Sequence, residues 1–258
     1  MSPASPFDLT GKVALVTGGN GGIGLGIAHG LAQAGASLMI AGRNAAKSEA
    51  AAVELRAGTG SKVAVFTGDV STAVAAQAMV AATLAKFGRI DCLVANAGIN
   101  IRKPPETYTP AEWQSILDTN LNGPFFAASA VHVCMKAQGG GKIITIGSMS
   151  SIFGLPFASA YAATKGGIVQ LSRSLASAWA KDNIQVNAIL PGWIDTDLTK
   201  GARAQIAGLH DRVMTRTPAG RWGLPADFAG IGVFLASPAS DFVTGTAIPV
   251  DGGYSIEG

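Results

Sequence analysis

Residues 159–167 read SAYAATKGG and set Tyr161 and Lys165 four positions apart in an alanine-rich stretch. On a helix that spacing puts a phenol and an ammonium on one face, one turn apart. Free in water they titrate near ~10 and ~10.4, so both stay protonated and inert at neutral pH. A neighbouring cation favours phenolate, as does the positive end of a helix that begins just before Tyr161. Bringing the phenol to neutrality takes about three units, roughly 4 kcal/mol. An ammonium ~4 Å away in bulk water supplies only about 1 kcal/mol. A partly dehydrated cleft and a further positive charge must share the task. A phenol tuned in this way exchanges a proton with an alcohol or carbonyl oxygen.

A second chemical feature lies near the start of the chain. The apolar run KVALVT leads into TGGNGGIG, residues 17–24, and then into a helical pattern. Gly19, Gly21 and Gly24 fit G-x-G-x-x-G, while Thr17, Gly18, Gly22 and Gly24 fit T-G-x-x-x-G-x-G. Glycines here allow positive φ and let backbone N–H groups close on a pyrophosphate, with the helix N-terminus adding partial positive charge. A glycine triplet alone means little in a chain with 34 glycines. Strand before and helix after turn it into a dinucleotide fingerprint. About 20 positions on, an acid would suit NAD and an arginine the extra phosphate of NADP. The chain reads AGRN there, with Gly42 in the acid's place and then Arg43, so NADP is favoured and NAD is the alternative.

These residues need elements to hold them. Short β-branched runs at 12–17, 37–42, 62–68, 90–96, 141–147, 184–190 and 246–250 alternate with helical patterns at 23–34, 45–57, 72–87, 110–137, 158–180 and 226–236. Continuous apolar strands spaced by helices predict an α/β fold, a single doubly wound parallel sheet of about seven strands covered by helices on both faces. No linker, repeat or charge block interrupts the 258 residues, so one domain spans 1–258. Such sheets bind ligands at the carboxyl ends of their strands.

Composition narrows the function classes. Charged residues make up 14% of the chain, against a usual ~25%. The net charge is +3, and Arg102-Lys103 is the only adjacent basic pair, so no stripe suits nucleic acid. Cys92 and Cys134 read as buried, reduced thiols. MSPASPFDLTGK lacks the pattern of a signal peptide, and no apolar run approaches the ~20 residues that span a bilayer. A cytoplasmic protein without membrane contact is the expectation. His29, His132 and His210 have no ligand-like neighbours, so no metal is inferred. Ser148 lacks the G-x-S-x-G setting of a hydrolase nucleophile.

Taken in order, TGGNGGIG, DV at 69–70, NAG at 96–98, TNLNG around Asn120, GSMSS with Ser148, Tyr161-x-x-x-Lys165, PGWIDT at 191–196 and VDGG at 250–253 resemble the classical short-chain dehydrogenase/reductase family. The likeness runs from about 10 to 253 and implies a Rossmann-like fold and hydride transfer between a nicotinamide cofactor and an alcohol or carbonyl. It implies that Gly18, Asn20, Gly21, Gly22, Ile23 and Gly24 cradle the cofactor, that Asp69 and Val70 hold its adenine end, and that Asn96, Ala97 and Gly98 line it. Pro191, Gly192, Ile194 and Thr196 would hold the nicotinamide, with Tyr161 and Lys165 also touching the cofactor. The catalytic set would be Asn120, Ser148, Tyr161 and Lys165. Tyr161 would carry the proton, Ser148 would polarise the reacting oxygen, and Asn120 would hold a water against Lys165. One departure concerns NADP: relatives that use it often have a basic residue just before the glycine matching Gly22, and here that residue is Gly21. The resemblance also implies a homotetramer.

A small-molecule substrate is expected. Residues 197–222 lie where the family closes over substrate, and they mix apolar residues with Lys200, Arg203, Arg212 and Arg216. NAGINIRKP and TPAGRWG resemble the gluconate 5-dehydrogenase and 2-deoxygluconate 3-dehydrogenase group, so a sugar acid or polyol is expected. Arg102 or Lys103 would pair with a sugar-acid carboxylate, and Ser148, Tyr161 and Trp193 would complete the substrate contacts. The alternatives are a 3-oxoacyl-acyl-carrier-protein reductase and, from another class, a non-catalytic dinucleotide sensor or scaffold.

Overall fold

The computed structural model describes residues 5–257. Residues 1–4 and 258, part of the span and of the amino-terminal segment read above, lie outside the described residues. Among the described residues seven strands form one sheet: β1 Val13–Thr17, β2 Ser37–Gly42, β3 Val63–Thr67, β4 Cys92–Ala95, β5 Gly141–Ile146, β6 Ile184–Pro191 and β7 Ala247–Val250. Their order is β3-β2-β1-β4-β5-β6-β7, and every pairing is parallel. The order reverses between β1 and β4, which opens a crevice at the carboxyl ends of those two strands.

Side chains alternate across the sheet as a parallel sheet buried on both faces requires. Ala14, Val16, Leu38, Ile40, Val94 and Ile144 belong to one core with Ile27, Leu31 and Leu55. Leu15, Met39, Leu93, Ile143 and Val186 belong to the other, with Met79, Val131 and Leu175. The first core lies under α1 (Gly22–Gln33), α2 (Ala45–Thr59) and α9 (Ala229–Ala236), the second under α3 (Ala73–Phe87), α5 (Gly123–Ala137) and α6 (Ser159–Trp179). Local signals set the helix ends. Asn44 and Thr72 cap α2 and α3 by accepting from Lys47 N–H and Ala75 N–H, and Gly60 and Gly88 end them in the left-handed region. Gly26 lets α1 approach the 225–228 turn, where an added Cβ would sit 1.9 Å from the Pro225 carbonyl oxygen.

Three stretches depart from the sequence reading. The helix expected over 110–137 is α4 (Pro110–Leu117), a π-helical turn over Asp118–Asn122, and α5. Pro124 explains the break: it has no N–H for the carbonyl of Asn120, and its ring crowds that oxygen. Gly123 N–H reaches back to Asp118 O instead. Within 197–222 lie two short helices that periodicity did not separate, α7 (Asp197–Gln205) and α8 (Leu209–Arg216). The expected helix at 226–236 starts as a 3₁₀ turn over Pro225–Phe228 before α9. Among the described residues no helix is long and apolar enough to cross a membrane. Cys92 is buried, its thiol pushed up to about 12 by burial, while Cys134 is only half-buried.

Candidate active site

The loop after β1 and the loop after β4 are fastened to each other. Thr17 Oγ1 accepts from the N–H groups of Asn96 (3.0 Å) and Ala97 (3.1 Å). Asn96 Nδ2 donates to the carbonyls of Thr17 (3.0 Å) and Gly18 (3.1 Å). Gly18 has φ +64°, and an added Cβ would meet Asn96 Nδ2 at 2.8 Å, so only glycine fits this crossing. Beyond it α1 starts at Gly22 with no side chain capping its first N–H groups. Free amides at the positive end of a twelve-residue helix, reached by a side-chain-free loop, suit a pyrophosphate.

Two cavities flank this loop and share Gly18, Asn20, Lys47, Ala97 and Gly98 in their walls. The larger, about 330 Å³, is also lined by Arg43, Asp69 and Val70. The other, about 290 Å³, holds Gly21, Gly22 and Ile23 on one side and Ser148, Tyr161 and Lys165 on the opposite side, with Pro191, Gly192, Ile194 and Thr196 between. The cleft therefore brings together the residues expected at the adenine end, at the pyrophosphate and at the reacting end. Gly24 sits just behind the loop, where an added Cβ would meet Asn96 Nδ2 and Gly18 O at 2.4 Å. Asp69 accepts from Ser71 N–H, which with Arg43 nearby holds its carboxyl below the usual range.

Electrostatics at the reacting end differ from expectation. Lys165 is 4% exposed, with Nζ 5.5 Å from the Tyr161 ring centre, and donates to Ile146 O at 2.6 Å. Burial brings its ammonium down to about 8. Tyr161 moves the other way: burial raises its phenol above the ordinary value, against smaller downward pulls from the Ser148 hydroxyl and the Arg102 guanidinium. Within the chain, Lys165 does not acidify the phenol as the sequence reading expected, because dehydration outweighs a weakened and distant cation.

Neighbouring groups fix these side chains. Ser148 Oγ accepts from Ser150 N–H at 3.1 Å, and Ser151 Oγ donates to the Lys165 carbonyl at 2.7 Å, tying the loop after β5 to α6. Asn120 lies in the π turn and is buried. Its Oδ1 accepts from Ile99 N–H at 2.8 Å, and its Nδ2 donates to Ile99 O at 2.9 Å. The side chain is thus committed to the loop after β4 and, through Nδ2 to Thr164 Oγ1 at 3.4 Å, to α6. A water held at this position would use the Asn120 carbonyl, which Pro124 leaves without its usual donor.

The basic pair divides. Lys103 lies 2.7 Å from Glu112 and belongs to the amino end of α4, where Glu112 also bonds Thr109 and its carboxyl is lowered to about 2. Arg102 donates to Leu198 O at 3.1 Å, faces Tyr161, and has no carboxylate partner among the described residues. Trp193 corrects the sequence reading, since it does not line the cleft. Gly223 N–H donates to Trp193 O, and Ile194 pairs with Gly223 as in a strand, so adjacent side chains point to opposite sides. Ile194 faces the cleft, while Trp193 packs edge-on against Trp222 at 5.7 Å under α7 and α8.

Sequence reasoning missed Lys47 and Ile146 in the cleft wall, and reached Asp197, Leu198 and Thr199 only as part of the segment 197–222. Thr199 bonds Ile194 O, and Thr196 at the N-cap followed by Asp197 in the first turn is the local signal that α7 begins there. The histidines lie elsewhere: His29 beside Glu54, His132 between Asp182 and Trp179, and His210 accepting from Trp222 Nε1.

A family model described as enoyl-(acyl carrier protein) reductase matches residues 18–255. The 2-dehydro-3-deoxy-D-gluconate 5-dehydrogenase of Dickeya dadantii (strain 3937) is 42% identical over 252 residues, 96% of this chain and 97% of that protein. The gluconate 5-dehydrogenase of Gluconobacter oxydans (strain 621H) is 40% identical over 99% of each chain. Among solved structures, a gluconate 5-dehydrogenase from Burkholderia cenocepacia J2315, in complex with NADP and tartrate, matches with a TM-score of 0.91 and 41% identity over 98% of each chain.

Proposed function

We propose that this chain, which belongs to the short-chain dehydrogenase/reductase family, is an oxidoreductase that interconverts a sugar-acid alcohol and its ketone with NADP. The observation that carries the reading is the convergence, in one cleft, of the glycine cradle with Ser148, Tyr161 and Lys165. That set speaks against a non-catalytic dinucleotide sensor. The relatives named for gluconate-type acids favour a sugar acid over an acyl thioester.

The residues divide the work as follows. Gly18 and Gly21–Gly24 with the start of α1 would hold the pyrophosphate, Arg43 the phosphate on the adenosine ribose, and Asp69 and Val70 the adenine end. Asn20 Nδ2 donates to Ser48 Oγ at 2.9 Å and so braces the loop against α2. Pro191, Gly192, Ile194 and Thr196 would set which face of the nicotinamide meets substrate. When bound, NADP supplies or accepts the hydride at the substrate carbon, and its oxidised ring adds positive charge. Tyr161 gives its proton to, or takes it from, the substrate oxygen. Ser148 donates a hydrogen bond to that oxygen and orients it. Lys165 and the Asn120 carbonyl lead the proton towards solvent. Arg102 pairs with the carboxylate, a role supported by its place beside Tyr161. Residues 197–222 close over the substrate through the Arg102–Leu198 contact.

We place the protein in the cytoplasm, where NADP is supplied, and assign it a homotetramer; exposed Phe125 and Val133 on α5 suit a subunit interface, and light scattering tests the mass. The function is tested by following nicotinamide absorbance with both cofactors against sugar acids, neutral polyols, acyl thioesters and bulky ketones. Turnover with NADP and gluconate-type acids is expected. Turnover with acyl thioesters alone would overturn the substrate class.

A further inference from the structure

One cation in the cleft has no task in that reading. Lys47 lies in the first turn of α2, where its N–H donates to the capping Asn44 Oδ1 at 2.9 Å. Its side chain runs back over the glycine loop: a Cβ built on Gly21 would meet Lys47 Nζ at 3.0 Å. The ammonium therefore fills the space that a side chain at position 21 would take. It stands in the wall shared by the cavity of Arg43 and Asp69 and the cavity of Ser148 and Tyr161. Its partner is Asp197 Oδ2 at 3.0 Å, the first residue of α7, 150 positions along the chain. The pair forms a strap across the mouth of the cleft.

The chemistry of this strap is unusual for its place. Asp197 sets a carboxylate at the rim of a cleft that, on the proposed reading, receives a polyanion. Its side chain is 78% exposed and that of Lys47 48% exposed. Exposed ion pairs of this kind are weak, so the ammonium is easily exchanged. A phosphate dianion is the stronger partner, with more charge and three acceptor oxygens. The backbone amides of the glycine loop and of α1 would serve the pyrophosphate, whereas among the described residues lining the adenosine side the only other cation is Arg43.

We infer that Lys47 joins Arg43 in reading the phosphate on the adenosine ribose, and that Asp197 competes with that phosphate for the same ammonium. The inference rests on the dinucleotide reading and adds to it a specificity residue and its competitor.

Calorimetric titration of NADPH and NADH into the wild type, Lys47→Met, Asp197→Asn and the double variant tests it, with thermal melts to show that each folds. Lys47→Met should weaken NADPH binding roughly tenfold, the loss of one charge-assisted bond, and NADH much less. Asp197→Asn should tighten NADPH severalfold, and that gain should vanish in the Lys47→Met background. Equal weakening of NADPH and NADH, no change with Lys47→Met, or a gain from Asp197→Asn that persists without Lys47 would each overturn it. A wild type that binds neither dinucleotide would overturn the cofactor reading, and the inference with it; a wild type that binds NADPH isolates the inference.

Discussion

Lys165 should carry a measurable penalty that shrinks as pH rises. Its ammonium is buried against a single carbonyl, Ile146 O at 2.6 Å, and titrates at about 8 instead of 10.5. A group whose folded pKa is depressed in this direction binds its proton more weakly folded than unfolded. The charged form then opposes folding, fully below the folded value, and the cost fades between about 8 and 10.5. At about 1.4 kcal/mol per unit the penalty is about 3 kcal/mol at pH ~7, and linkage leaves about 1 kcal/mol at pH ~9.5. Lys165→Met removes it and in exchange strands the Ile146 carbonyl, a loss of about 1–3 kcal/mol that does not depend on pH. The absolute ranking at neutral pH thus depends on two opposed terms, but its pH dependence does not. Urea unfolding of wild type and variant in parallel should show the wild type gaining about 2 kcal/mol on the variant between pH ~7 and ~9.5, or several degrees in Tm. Every other titrating group is common to both proteins and cancels. A gap that stays constant over this range, or moves the other way, would refute a buried, weakened ammonium.

Three further outcomes follow from the site. Tyr161→Phe should keep NADPH binding and lose at least about a hundredfold in turnover, as removal of a general acid does; a variant within about tenfold of wild type in steady-state rate refutes its role. Arg102→Ala should raise KM for a sugar acid at least about tenfold and leave a neutral polyol unaffected, since a charged hydrogen bond is worth about 1.5–3 kcal/mol; equal losses on both substrates would point to the Leu198 contact instead. Gly18→Ala should abolish NADPH binding in a fluorescence titration and lower Tm, because the new Cβ would enter at φ +64° and meet Asn96.

Much of this arrangement is legible in the sequence because it is local. The runs VALVT, SLMIAG and GKIITI are strands on composition alone, and parallel pairing follows from the helices between them. The glycine loop announces itself by spacing. The π turn at Asn120 is signalled only by Pro124, and apolar periodicity continues past it on both sides. α7 and α8 escaped notice because each is about two turns long and carries polar residues on most faces. Trp193 was misplaced because a one-residue step along an extended segment reverses the side-chain direction, and the register with Gly223 is set by a residue thirty positions away. Lys47 was invisible for a similar reason: its position depends on Asp197 and on the absence of a side chain at Gly21.

The sequence did not reveal the resting proton state of the site. Free tyrosine and lysine titrate close together, and an exposed pair would drift towards phenolate and ammonium. Burial disfavours both charged forms, raising Tyr161 and lowering Lys165, so the proton is held more firmly on the phenol. By itself the chain therefore presents Tyr161 as a donor, the form that protonating a carbonyl oxygen requires. Accepting a proton from an alcohol needs positive charge beyond the pull that Arg102 already exerts on the phenol, and an oxidised nicotinamide bound at this end of the cleft would supply it. On the proposed function, Tyr161 would give its proton beside a neutral reduced ring and take one beside a positively charged oxidised ring, so proton and hydride transfer would be coupled through the charge at this phenol.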